Sequence, residues 1–228
     1  MMPEYRAREM HADLDTPVSA YLKLAAGNPW SFLYESVEGA ERWASYSIIG
    51  VGARRSFTVR GETLTVEADG ETTTFPAQDP LDALREASGF PHARPVPGAG
   101  PFLGGLFGFL SYDAVRSFEP LQAPPGPSIC ADACFFQPEV LAVFDNRRHR
   151  LTLYAIDESH LDEAEQRMRA PVRETRAAGD WREPRALDSR EDFMAMVEAT
   201  KEHIRAGDII QAVVSRRFAL DRASDPFD

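Results

Sequence analysis

The chain has 228 residues, 43% of them apolar, enough to bury one large core or two small ones. Twenty-five basic against 36 acidic side chains leave a formal charge of -11, which argues against nucleic acid or an anionic membrane surface as the main partner. No apolar run reaches signal-peptide or membrane-spanning length, so the expected location is the cytoplasm.

In chain order, Thr16 followed by Pro17 predicts an N-cap with proline at the first helical position, opening a helix through Tyr21, Leu22 and Ala25. Strand-like runs follow at 31 to 36, 44 to 50, 55 to 60, 63 to 68 and 71 to 75. The last three alternate polar and apolar residues, with turns at Arg60-Gly61 and Asp69-Gly70. Asp79-Pro80 repeats the cap signal and starts a second helix through Leu84. Phe90 to Gly100 and Pro120 to Pro127 are too rich in Pro and Gly for regular structure. Between them lies a strand with Gly104, Gly105 and Gly108, whose missing side chains point to a bulge or a close backbone approach. Val140 to Phe144 and Arg150 to Ile156 form a hairpin turning at Asp145-Asn146. Charged residues at helical spacing then run from Glu158 to Arg176.

The pattern restarts near Asp180 to Asp188, which divides the chain into residues 1–180 and a region beginning at 186. Ser189 opens a helix with Phe193, Met196, Val197, Thr200 and Ile204 on one face, stopped by Gly207. DIIQAVVSRRFAL, residues 208–220, follows as a long strand. Elements in this order lack the alternation of a parallel doubly wound sheet, so the fold class is α+β with largely antiparallel sheets.

Several chemistries are excluded. Cys130 and Cys134 are the only cysteines; without a second Cys or His pair at zinc spacing they are two small buried residues. The five histidines form no HExxH pattern, the glycines form neither GxGxxG nor a P-loop, and no GxSxG elbow is present. The segment FLYESVEGAERWASYSIIG, Phe32 to Gly50, is instead unusual for its polarity between two apolar ends. Leu33, Ile48 and Ile49 could be ordinary core, whereas Glu35, Ser36, Glu38, Glu41, Arg42, Tyr46 and Ser47 could grip a small zwitterion.

Three blocks, in this order and spacing, resemble component I of anthranilate synthase, a chorismate-utilising enzyme of tryptophan biosynthesis. They are TPVSAYLKL with FLYESVEGAERWASYSIIG, GGLFGFLSYDAVRSFE with FFQPEVLAVFD, and IRAGDIIQAVVSRRF. The resemblance implies two large antiparallel sheets packed face to face with helices outside, incomplete in this chain. It implies conversion of chorismate and ammonia to anthranilate and pyruvate, with ammonia drawn from glutamine by a separate amidotransferase component. Residues 1–180 then correspond to a regulatory region and 186–228 to the start of the chorismate-binding catalytic region. The resemblance also places feedback inhibition by tryptophan at Leu33, Glu35, Ser36, Tyr46 and Ser47.

Gln211 matches a strand position where relatives that add water carry lysine. A lysine of lowered pKa can deprotonate water, whereas ammonia already has its lone pair and needs only placement by a neutral amide. The magnesium ligands, the general-base histidine and the substrate loop are expected beyond residue 228, so this chain alone is expected to be inactive. Component I of aminodeoxychorismate synthase shares the glutamine and the ammonia donor and is the nearest alternative. A stand-alone amino-acid-binding module is the other, although it would leave the strand from Ile209 to Leu220 as an exposed edge.

Overall fold

The computed structural model describes residues 4–25, 27–35, 46–89, 104–122, 130–172 and 183–221. Two compact units divide the chain, Met1–Arg173 and Glu174–Asp228. The first is built on an antiparallel sheet of eight strands: β1 (Arg6–His11), β2 (Ser31–Tyr34), β3 (Tyr46–Arg60), β4 (Thr63–Ala68), β5 (Glu71–Pro76), β6 (Phe107–Leu110), β7 (Ala133–Asp145) and β8 (Arg150–Ala155). Their order is β1-β8-β7-β3-β4-β5, with β2 also on β3 and β6 also on β7. The helices are α1 (Pro17–Ala25), α2 (Pro80–Ser88) and α3 (Glu158–Arg169), and Tyr112–Ser117 forms a 3₁₀ turn. The fold is α+β and antiparallel, as the residue pattern predicts.

Capping chemistry sets the helix starts. Thr16 Oγ1 accepts from the Ser19 backbone N–H at 3.1 Å, while Ser19 Oγ accepts from the Thr16 N–H at 2.9 Å, a reciprocal box at the head of α1. Asp79 Oδ1 accepts from the Leu81 and Asp82 N–H groups at 2.9 and 3.1 Å, and Gly89 at φ 68° ends α2. The C-terminal ends of α1 and α3 are tied across to each other. Arg167 donates to the Leu24 carbonyl at 2.8 Å, and Lys23 donates to the Met168 carbonyl at 3.1 Å while pairing with Asp15 at 2.8 Å. Leu24, Leu161 and Met168 of these helices pack on Ile49, Val51, Ala142, Phe144 and Leu153 of the sheet. Burial of the Leu, Ile, Val, Phe and Met side chains among them contributes about 1.5–3 kcal/mol each.

Runs 44 to 50 and 55 to 60, separate strands in the sequence reading, are one strand, β3, paired to β7 throughout with a register shift between Ala53 and Arg55. The irregularity costs β3 little pairing and changes which side its residues serve. Ile49 and Val51 before it belong to the core under α1 and α3; Phe57 and Val59 after it belong to a second core with Leu64, Val66 and Leu84 of α2.

The sheet curls strongly. Phe32 of β2 stacks on Phe107 of β6 at 4.4 Å although those strands are not neighbours in the ladder. Close backbone approach explains Gly108: a Cβ there would lie 1.9 Å from the Cys134 carbonyl oxygen. Cys130 and Cys134 are both partly buried, and neither is in a disulfide.

β1 has no counterpart in the sequence reading. Its residues Arg6, Arg8, Glu9 and His11 show no apolar alternation, and its place is set by pairing with β8 and by Arg8, which bonds Glu158, Asp162 and Glu165 of α3 at 2.6–2.7 Å.

The second unit contains β9 (Arg185–Ala186), α4 (Arg190–Ala206) and β10 (Phe218–Ala219). Ser189 Oγ caps α4 by accepting from the Asp192 N–H at 3.0 Å, and Gly207 at φ 83° closes it. The long strand expected over 208–220 is corrected here: only Phe218 and Ala219 pair, with Ala186 and Arg185. Apolar β-branched residues favour an extended chain, but a strand also needs a neighbour for its N–H and C=O groups, and Ile209 to Arg216 has no ladder partner among the described residues of this unit.

Candidate functional site

The polar segment identified in the sequence forms the crossing from β2 to β3. β2 runs antiparallel to β3 with Leu33 opposite Ile49 and Tyr34 opposite Ile48. Directly opposed residues share a face, and the faces alternate along a strand. Leu33 therefore lies on the face covered by α1 and α3, where it packs against that core. Ser47, opposite Phe144, lies on the same face and is 0% exposed. Asn146 Nδ2 donates to its Oγ at 3.1 Å, so the hydroxyl is satisfied from the β7–β8 turn.

Tyr46 lies on the other face, opposite Asp145, and packs with Tyr5, Ile48, Val143 and Tyr154. Glu35 follows β2 directly and is exposed, and Tyr34 is 49% exposed. Ser36 lies outside the described residues. The structure thus brings Leu33 and Ser47 to one side of the sheet and Tyr46 to the other, with Glu35 at the strand end.

Two partners of this region escaped the sequence reading. Asn146 was legible only as a turn residue, yet it holds Ser47. Tyr5, 3% exposed, stands among the aromatic residues beside Tyr46. Burial pushes its hydroxyl pKa up, against the opposing influence of the Gln137 amide and the Arg54 guanidinium. Gln137 is close enough to oppose that rise, but the Tyr5 hydroxyl makes no bond of hydrogen-bond geometry. Tyr5 precedes β1, whose charged residues carry no apolar alternation, so no local signal marked it.

Gln211 belongs to the second unit and is exposed in the stretch that precedes β10. This stretch is anchored by Asp188, whose carboxylate accepts from the Arg217 backbone N–H at 3.0 Å and from its guanidinium at 2.9 and 3.2 Å. The Arg217 side chain, then its backbone N–H, hold the Asp188 carboxyl below the ordinary 3.8. Among the described residues no group of three or more His, Cys, Asp or Glu could hold a metal ion. The described residues therefore do not fit a magnesium site. No described helix is long and apolar enough to cross a membrane.

The curled antiparallel sheet, its helix layer and the polar crossing define a class. The chain belongs to the chorismate-binding enzyme family, whose description matches residues 12–228. Its relatives carry a more particular name. It is 42% identical over 226 residues to anthranilate synthase component 1 of Thermus thermophilus, covering 95% of this chain and 47% of that protein. Over 241 residues it is 36% identical to anthranilate synthase component 1 of Pseudomonas aeruginosa, covering 96% and 49%. The crystal structure of anthranilate synthase component I from Streptococcus pneumoniae superposes with a TM-score of 0.64 at 25% identity, over 96% of this chain and 50% of that one. The chain spans about half the length of these relatives.

Proposed function

We propose that this chain is the N-terminal portion of an anthranilate synthase component I. The observation that carries the reading is the 42% identity to a protein of that name across 95% of the chain. The parent enzyme converts chorismate and ammonia to anthranilate, pyruvate and water, and a glutamine amidotransferase component supplies the ammonia. Gln211 lines the ammonia side of the active site, where its neutral carboxamide orients a nucleophile that needs no base. Magnesium supplies charge neutralisation at the chorismate carboxylate and takes its ligands from the half of the relatives that this chain does not match. The parent is a soluble cytoplasmic lyase.

Tryptophan inhibits the parent through the β2–β3 crossing. Glu35 faces the ammonium of the inhibitor, Ser36 donates to or accepts from its polar end, and Leu33, Tyr46 and Ser47 frame the strand ends that present them. The placement of Glu35 at an exposed strand end and of Ser47 under Asn146 supports this division between contact and frame.

The test is an anthranilate fluorescence assay with chorismate, magnesium and ammonium chloride. The chain alone is expected to give no product. Joined in one polypeptide to the half of the Thermus relative that it does not match, it is expected to give anthranilate. Aminodeoxychorismate from the joined protein would overturn the assignment, as would anthranilate from the chain alone.

A further inference from the structure

A cleft on the first unit is lined by residues of α1, α3, β3 and β7. Its apolar wall is Leu24, Val51, Val140 and Ala164, and Glu139 lies within it. The Glu139 side chain folds across Gly52, where a Cβ would meet Glu139 Oε2 at 2.1 Å. Gly52 also has φ 75°, a conformation that a side-chain-bearing residue rarely adopts. Two properties of this glycine therefore let a carboxylate lie inward instead of extending to solvent.

The other polar groups of the cleft have neighbours of their own. Arg167 donates to Glu163 at 2.6 Å and to the Leu24 carbonyl at 2.8 Å. His160 Nδ1 lies 3.9 Å from Asp157. Asn28 Oδ1 accepts from the Trp30 N–H at 2.9 Å. Glu139, partly buried, has no hydrogen bond or ion pair among the described residues. A partly desolvated carboxylate without a partner is costly, and a cation seated beside it removes that cost. Arg167 and His160 line the same cleft, so a positive group there has to be compact and seated beside Glu139. A bulky or divalent ion would meet them and lacks a third acidic ligand.

We propose that this cleft binds a small primary ammonium compound, its N–H groups donating to Glu139 and its short alkyl chain lying on Val51, Val140 and Leu24. The probe is n-propylammonium chloride, titrated into the full chain and followed by backbone amide NMR, with tetramethylammonium chloride at equal ionic strength as the control cation. Propylammonium is expected to give saturable shifts at Gly52, Glu139 and Val140, and tetramethylammonium, which has no N–H, is expected to give none. In Glu139→Gln the half-saturating concentration is expected to rise at least about tenfold, since a charged hydrogen-bond acceptor is lost. Shifts that are the same for both cations, that never saturate, or that persist unchanged in Glu139→Gln would overturn the proposal. The comparison of the two cations on the unaltered chain stands even if the variant does not fold.

Discussion

Single side chains decide both the proposed regulation and the local integrity of the sheet. Ser36 is the residue with the sharpest consequence for regulation. In the joined, active protein, Ser36→Ala and Ser36→Phe should relieve inhibition by tryptophan with little loss of uninhibited rate. Inhibition curves identical to the parent would remove Ser36 from the site. Gln211→Lys in the same protein should depress anthranilate formation, because a cationic ammonium cannot orient ammonia as a neutral amide does; an unaffected rate would reduce Gln211 to packing. Gly108 carries a purely structural prediction. A methyl group there meets backbone, not a flexible side-chain tip, with the Cys134 oxygen at 1.9 Å. Gly108→Ala should cost about 1–3 kcal/mol and lower the melting temperature by about 2–4 °C per kcal/mol. An unchanged melting temperature would show that β6 can slide away from β7 freely. Ser47 shows how far residue-level reading reaches: its polarity was visible in the sequence, but its burial and its bond from Asn146, 99 positions away, were not.

At the scale of elements, helices were legible because their signals are local. Thr16, Asp79 and Ser189 each cap the helix that their sequence context predicts, and Gly207 ends α4. Strands were less legible because a strand is defined by its neighbour. Gly52 and Ala53 interrupt the apolar alternation and read as a break, yet β7 continues alongside and joins both halves into β3. The stretch from Ile209 to Arg216 shows the reverse, a β-prone composition without a ladder. The tie that fixes this stretch to β9 is electrostatic and gives a pH prediction. The Asp188 pKa is lowered in the folded unit, so its contribution is present above the ordinary value of 3.8 and is lost as pH falls through the lower folded value. The protection factor of the Leu187 amide, whose N–H donates to the Arg217 carbonyl at 2.9 Å, should therefore fall at acid pH once the intrinsic pH dependence of exchange is divided out. Asp188→Asn should show the lower protection factor already at neutral pH. A Leu187 protection factor that does not respond to either change would show that the β9–β10 pair stands without the carboxylate.

For the whole molecule, the division into two units sets what each can do unaided. The first unit has an eight-stranded sheet with helices packed on it and three buried hydrophobic clusters. The second has a capped helix with no buried residue and a two-residue strand pair. Large exposed side chains such as Ile210 and Val213 flank Gln211 there. A unit whose described residues form no buried core does not by itself stabilise a catalytic geometry, which is the physical basis for expecting no anthranilate from the chain alone. The first unit, by contrast, contains the proposed inhibitor crossing and the ammonium cleft.

The sequence by itself determined the α+β class, the caps of α1, α2 and α4, the exclusion of nucleotide-loop and zinc chemistry, and the family. Each rests on residues within a few positions of one another or on the order of three motifs along the chain. Tertiary structure alone decided that the register shift near Ala53 sends Ile49 and Phe57 into different cores, and that Phe32 and Phe107 meet across a curled sheet. It also placed Leu33 and Ser47 on the face opposite Tyr46 and laid Glu139 over Gly52. These facts depend on register and curl, which arise from pairing between segments as distant as Arg6 and Ala155, and no local pattern encodes such distances.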